Sequence, residues 1–534
     1  MSIGNNNPPT GVQMKFDINT MLVPEIYPHP VANIELIETH ISWVILTGDF
    51  VYKIKKPVNF GFLDFSTLEK RHECCLNELN LNRRLAPDIY LAVVAISGSP
   101  DRPVIEGAGE AFEYAVKMRQ FPQSAQLDCM LAAGELTTEH MDALARTVAR
   151  FQQNIAIADA STDYGNPDII YQPVAENFDQ IRDHLDITPY EDQLTALQTW
   201  CESTFEYLKT VFEQRKRDGF VREGHGDMHL RNLVWLENGP TAFDCIEFNA
   251  HLRWIDVISE VAFLVMDLQD RQQPHLANRF LNSYLEATGD YAGLAILRFY
   301  LCYRALVRAK VDALRLAQKN ISEQGRQQTL TEFESYLRLA STYTLASTPE
   351  LIIMRGLSAS GKSTVAQQLV DATGMIRIRS DVERKRLFFM PLTLNAKASH
   401  KIDAGIYSPQ ASLQTYSKLI ELVSLVINAG YSVIVDAAFL KYEQRVPFRR
   451  LAESLGIAYT ILQVSAPEEI LRQRIVEKRH DVSDADLAVL EHQIVNWQPP
   501  HEDEKNSTLH INTGQAYNIE TLVDELNERR LDIT

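Results

Sequence analysis

Gly356-Leu357-Ser358-Ala359-Ser360-Gly361-Lys362-Ser363 decides the fold of the rear third of this chain. The octet is a complete G-x-x-x-x-G-K-[ST] pattern. Its glycines let backbone N–H groups curl around phosphates, Lys362 reaches the outer phosphates, and the Ser363 hydroxyl is a ligand for Mg²⁺. Leu351 to Met354 before it reads as a short buried strand, and Thr364 to Val370 after it has helical spacing. The loop therefore sits in the strand–loop–helix setting that the motif requires, with Thr364 continuing the phosphate-binding stretch. Downstream, Ile376 to Asp381 reads as a second strand ending in an acid, and Tyr431 to Asp436 as a third. Ligands of α/β sheets collect at the carboxyl ends of strands, so both acids are expected to face the loop. Asp436 fits the magnesium-side acid, and Asp381 fits a general base for an incoming hydroxyl. Arg445, after the Asp436 strand, is expected near substrate or phosphate.

Working outward, 534 residues are too many for one hydrophobic core, and two or three globular units are expected. Hydrophobic residues at 45% and charged residues at 23% are ordinary for a globular chain. Residues 1–30 are expected to be poorly ordered. Six scattered cysteines, with no C-x-x-C pair, read as reduced thiols of a cytoplasmic protein. The most apolar helix candidate, Val257 to Leu268, is interrupted by Glu260 and Asp267, so neither secretion nor membrane insertion is expected. The net charge of −18 is uneven: residues 1–350 carry 31 Lys+Arg against 47 Asp+Glu, residues 351–534 carry 21 against 23. An acidic front half argues against nucleic acid as a partner, because phosphate backbones need basic surface. No obligate protein partner is evident.

A second constellation lies in the front half. His225-Gly226-Asp227-Met228-His229-Leu230-Arg231-Asn232 leads into the apolar run Leu233 to Leu236, and Asp244 follows twelve residues beyond Asn232. An Asp and an Asn five apart on one loop, then a second Asp after a short hairpin, is the spacing of a protein-kinase catalytic loop. By that logic Asp227 accepts the proton of a substrate hydroxyl, while Asn232 and Asp244 hold Mg²⁺. Upstream, Ile41 to Leu46, a Thr47-Gly48-Asp49 turn and Phe50 to Ile54 form a hairpin signal. Lys53 then stands where a strand lysine would pair with nucleotide phosphates, with Lys55 and Lys56 as competitors. Its ion-pair partner is expected to be Glu78 on a helix over 68–85, with Glu73 as the fallback. The hinge is expected near Tyr114 to Gln120. From Leu136 to about Leu339 the pattern is mainly helical, and Arg298, Arg304, Arg308 and Lys310 on the Leu294 to Leu316 segment read as a solvated face.

His-Gly-Asp-x-His-x-x-Asn, continued by Phe243-Asp244-Cys245-Ile246-Glu247-Phe248-Asn249, resembles the aminoglycoside phosphotransferase and choline kinase branch of the protein-kinase-like fold. The rear array resembles small P-loop kinases related to polynucleotide kinase, chloramphenicol phosphotransferase and gluconate kinase. That second resemblance implies a basic lid over the phosphates, for which Arg474 and Arg479 are the candidates, and a substrate contact from Arg384. As a whole the chain resembles the bacterial bifunctional aminoglycoside phosphotransferase/ATP-binding protein family.

The implied fold is multidomain, α/β with α+β: a protein-kinase-like two-lobe domain at 31–340 with its small lobe at about 31–118, a linker at 341–350, and a P-loop parallel-sheet domain at 351–534. The implied function is that of an ATP-dependent phosphotransferase with two separate ATP/Mg²⁺ sites, each acting on a hydroxyl of a small-molecule acceptor. An alternative is a nucleotide-binding regulator in which one domain, the front one first, is a non-catalytic ATP switch. A polynucleotide kinase is disfavoured by the charge.

Overall fold

The computed structural model describes residues 16–59, 63–318, 321–391, 405–477 and 486–531. The chain divides into two compact units, one formed by residues 1–135 and 223–255, the other by 136–222 and 256–534.

Among the described residues the first unit contains a sheet in the order β1 (Glu35–Glu38), β2 (Ser42–Leu46), β3 (Phe50–Lys55), β6 (Glu113–Arg119), β4 (Tyr90–Ser99), β5 (Arg102–Ile105). The expected hairpin is antiparallel β2–β3, with Val44 opposite Lys53. Pleating sends alternate residues of β3 to opposite faces. Tyr52 and Ile54 join one apolar cluster with Ile45 and Met21, while Val51 joins another with Cys75 and Leu79. Lys53 and Lys55 share the parity of Val51, and so face the helix Leu68–Asn82, whose Thr67 caps its start. Residues 16–30, expected to be poorly ordered, are instead packed: two short 3₁₀ turns bury Met21 and Tyr27 against Tyr52. Apolar side chains that find a cluster outweigh the polar composition around them.

The chain passes between units at the short strands β7 (Val221–Glu223) and β10 (Trp254–Asp256), and between these lies the hairpin of β8 (Leu233–Leu236) and β9 (Gly239–Ala242). Its register sets Leu233 opposite Ala242, and the Phe243 N–H donates to Asn232 O at 3.0 Å. Asn232 and Asp244 are thereby brought to the same end of one hairpin.

The second unit joins a helical layer to a sheet ordered β12 (Ile376–Arg379), β13 (Val433–Asp436), β11 (Glu350–Arg355), β14 (Ala458–Ser465), β15 (Thr508–Asn512), with every pairing parallel. Both faces of β11 are buried, as parallel sheets require. The Lys362–Thr373 helix packs Val365 and Leu369 on Ile352 and Met354. Two expectations need correction here. The linker drawn at 341–350 begins inside a helix, Glu323–Thr344, and ends inside β11, and the helices before it share a compact unit with the sheet after it. The Leu294–Leu316 helix does not present a solvated basic face: Arg304 is buried and donates to Ser259 O and Oγ, and Arg308 stacks on Tyr336. Guanidinium stems cover apolar surface while their nitrogens find carbonyls.

Candidate functional sites

In the first unit, Lys53 Nζ lies 2.9 Å from Glu78 Oε1 and also donates to Asp244 Oδ1. Lys55 Nζ lies 2.5 Å from Glu78 Oε2 and donates to Glu247. Two lysines are thus threaded among three carboxylates. Burial alone would lower the Lys53 ammonium, but Asp244, Glu78 and Glu247 outweigh it and hold Lys53 well above its ordinary range. Burial would likewise raise Glu78, and Lys53 and Lys55 overcome it, bringing the carboxyl down to about 2. The competing lysines are separated by the geometry: Lys56 turns away to Glu38 at 2.6 Å, and Lys55 reaches Glu247, so Lys53 is the cation placed beside Asp244. Glu78, rather than Glu73, occupies the buried stripe of its helix with Arg71, Cys74, Cys75 and Asn82.

The 225–232 loop is tied to the hairpin that carries Asp244. Asn232 Nδ2 donates to Asp227 O at 2.9 Å and Oδ2 at 3.0 Å. His225 Nε2 is 2.8 Å from Phe243 O, and the Ile246 N–H donates to His225 O at 3.0 Å, which ties loop to hairpin. Asp244 adopts a left-handed conformation, φ +64, and its N–H donates to Tyr90 Oη at 3.0 Å. Gly226 is required: its φ is +88, and a Cβ there would lie 2.7 Å from Leu252 O. The Asn232 amide oxygen and the Asp244 carboxylate are hard donors on adjacent backbone, a set that fits Mg²⁺. Sequence reasoning missed Tyr90, Asn82 and Glu247, all of which act on the backbone or charge of this site.

In the second unit, Gly356 lets the loop pass under Val464: a Cβ there would stand 2.3 Å from Val464 O. Lys362 Nζ folds back to Leu357 O at 2.7 Å. The loop opens on a cavity of about 1230 Å³ lined by Lys362, Ser363, Thr364, Asp381, Arg384, Asp436 and Arg474 together with Tyr407, Tyr416 and Phe448. Parallel register explains the convergence: Asp436 pairs with Met354 on one side and Arg379 on the other, all at strand carboxyl ends. Asp436 is buried, and its Oδ2 makes no hydrogen bond among the described residues. A buried carboxylate oxygen without a hydrogen bond, on the wall of the same cavity as Ser363, fits a divalent cation. Asp381 lies in the first turn of the Ser380–Leu387 helix rather than at a strand end, because β12 closes at Arg379.

The arginines divide. Arg384 lines the cavity, donates to Ile406 O at 2.7 Å and lies 5.1 Å from the Tyr407 ring. Arg474 is docked on the loop itself, donating to Ala359 O at 3.2 Å and to Thr513 Oγ1 at 2.9 Å and O at 2.8 Å. Arg479 lies outside the described residues. Arg445 is not a substrate contact: it is fully buried in a two-pronged pair with Glu504, at 2.8 and 2.7 Å, and is absent from the cavity wall. A guanidinium taken from water is held by its carboxylate fork. Residues missed at this site are Thr513, whose hydroxyl donates to Ser360 O at 2.7 Å, Gln493, which accepts from the Ser358 N–H at 2.7 Å, and Arg379. Thr513 follows the end of β15, so the strand-end rule could have found it.

The first unit thus sets an antiparallel sheet and a helix around Lys53, Glu78 and Asp244, and the second carries a P-loop α/β sheet. In comparison with known proteins, residues 351–500 match the AAA domain family. An uncharacterized protein of Mycobacterium tuberculosis (strain ATCC 25618 / H37Rv) is 29% identical over 497 residues, covering 92% of this chain and 97% of its own. Among solved structures, a sugar kinase from Janibacter sp. HTCC2649 aligns with 35% of this chain and 96% of its own at 20% identity, TM-score 0.27. A choline/ethanolamine kinase family protein from Mesorhizobium loti aligns with 58% of this chain and 93% of its own at 9% identity, TM-score 0.33. No helix among the described residues is long and apolar enough to cross a membrane.

Proposed function

We propose that the chain is a phosphotransferase with two ATP sites, one per unit, each moving the γ-phosphoryl group to a hydroxyl of a small-molecule acceptor. The observation that carries this reading is Lys53 held between Glu78 and Asp244, the latter on the hairpin whose Asn232 bonds Asp227. In this reading Lys53 is the phosphate-directed cation, Asp244 the metal-side acid and Asp227 the base, the set that phosphoryl transfer by positioning requires. In the second unit Lys362, Asp436 and Asp381 supply the same three roles around one cavity. Mg²⁺, when bound, would neutralise charge that develops on the transferring phosphate. Asn232 and Asp244 would hold it in the front site, Ser363 and Asp436 in the rear one. Asp227 or Asp381 takes the proton of the acceptor hydroxyl as its oxygen attacks the γ-phosphorus, the bond to the bridging oxygen breaks, and ADP departs. The acidic front half and the near-neutral rear favour a small acceptor over a polyanion.

A second reading applies to the front site alone. The direct hydrogen bond from Lys53 to Asp244 engages a carboxylate that a metal would need, which favours a nucleotide-binding switch there. A metabolite-library phosphorylation screen on the full chain, run beside Asp227→Ala and Asp381→Ala, separates the two. Phosphorylated product lost only in Asp227→Ala supports front-site transfer. ATP binding with no Asp227-dependent product from any acceptor supports the switch.

A further inference from the structure

β12 is an edge strand of the rear sheet, and the second unit covers that edge with the helix Pro274–Thr288 from the preceding helical layer. Asn282 completes the strand's hydrogen bonding, accepting from Arg377 N at 2.7 Å and donating to Met375 O at 3.1 Å. One turn further, the Glu286 carboxylate receives two arginines of β12: Arg377 Nη2 at 3.2 Å and Arg379 Nη1 at 3.0 Å. Arg379 lines the phosphate-loop cavity, and its Nε stands 4.0 Å from Asp436 Oδ2. That separation is too long for a hydrogen bond. The same Asp436 oxygen is buried and unbonded among the described residues.

We propose that Glu286 is a positioning residue for the rear site: it restrains Arg379 so that the guanidinium does not close on Asp436, and the carboxylate stays available to Mg²⁺. The inference rests on the reading of the rear loop as an ATP/Mg²⁺ site. The two cationic residues on β12 are two apart, so pleating points both toward the same face, where one carboxylate can hold them. Without that anchor, Arg379 Nε still faces Asp436 Oδ2, and a small rotation converts 4.0 Å into a charge-assisted hydrogen bond. The metal would then have to displace an arginine. Through Glu286, the metal affinity of the P-loop site depends on a helix far upstream in sequence, so the sheet domain is not self-sufficient.

The test is nucleotide binding, not turnover. ATP affinity of the full chain is measured by calorimetry with Mg²⁺ and with EDTA, and the rear-site component is defined as the part lost in Lys362→Ala. In the wild type Mg²⁺ tightens that component. In Glu286→Ala the tightening is expected to fall by about tenfold, the scale of one charge-assisted contact, while affinity in EDTA stays within about twofold. Replacing Arg379 as well, in Glu286→Ala/Arg379→Ala, removes the competitor and is expected to restore the Mg²⁺ dependence. A merely structural role for Glu286 would not be rescued by a second deletion. The proposal is overturned if Glu286→Ala leaves the Mg²⁺ dependence unchanged, or if the double variant is no better than the single one. If Lys362→Ala removes no ATP binding at all, the reading of the loop has failed rather than the role of Glu286.

Discussion

Replacing Glu78 by glutamine perturbs the front site where it is most constrained. The carboxylate is fully buried and shared by two ammonium groups, 2.9 Å from Lys53 and 2.5 Å from Lys55. Glutamine keeps the volume and one acceptor oxygen but removes the charge, so both buried cations lose their common partner. Breaking a buried ion pair in this way costs about 3–5 kcal/mol. The titration of the group leads to a similar figure. Burial pushes Glu78 up, the lysines outweigh it, and the carboxyl falls from 4.5 to about 2. At about 1.4 kcal/mol per unit, that depression is worth about 3 kcal/mol of stability at neutral pH. Because the folded-state value is the lower one, the contribution is complete above the unfolded value of 4.5 and disappears as the pH falls to about 2. The wild type should therefore exceed Glu78→Gln most at neutral pH, and the gap should narrow progressively below about pH 4.5. Hydrogen exchange of the β3 amides across a urea series is the appropriate assay, since a chain of several units does not unfold in one step. A difference below about 1 kcal/mol at neutral pH, or one that stays constant down to about pH 3, would refute the buried-bridge argument.

Asp227→Asn should reduce front-site transfer by about 10²- to 10⁴-fold with ATP affinity little changed, as expected for loss of a general base. Rates measured in a Lys362→Ala background isolate that site, and a comparable fall in affinity would instead assign Asp227 to nucleotide or metal binding. Arg445→Met should lower stability by about 3–5 kcal/mol, because Glu504 is left buried and unpaired. Denaturant titration measures it; a stable variant with a raised acceptor KM would return Arg445 to the substrate site. Thr513→Val should weaken rear-site ATP binding by about three- to tenfold, through loss of the hydroxyl that holds Ser360 O. Calorimetry in the presence of Mg²⁺ reads this, and unchanged affinity would show that the loop keeps its shape without Thr513.

Both candidate sites were legible as short sequence words, because each depends on backbone geometry that a few adjacent residues impose. The octet 356–363 and the 225–232 loop each carry a glycine at φ +88, Gly361 and Gly226, and no distant residue is needed to write that backbone requirement. The β2–β3 hairpin and the Leu68–Asn82 helix followed from periodicity in the same way. Strand parity excludes Lys56 from the face of Lys53, and helical spacing puts Glu78 with Cys74 while leaving Glu73 off the stripe. Burial within residues 16–30 was not legible, since polar composition hides apolar side chains such as Met21 and Tyr27 that only a tertiary cluster can reward.

The sequence by itself determined which chemistry each unit can hold: lysine, carboxylate and hydroxyl at spacings set by one loop or one hairpin. Tertiary structure decided which charges meet. Lys53 and Asp244 are 191 residues apart, Arg445 and Glu504 are 59 apart, and Glu286 and Arg379 are 93 apart. An arginine carries the same five donors whether it faces a phosphate or a buried glutamate. Which of the two it meets depends on sheet register and helix packing, which collect contributions from the whole chain. For that reason Arg445 reads as a ligand contact in sequence and is a buried strut in the fold, while Glu286, silent in sequence, stands one side chain away from the rear site.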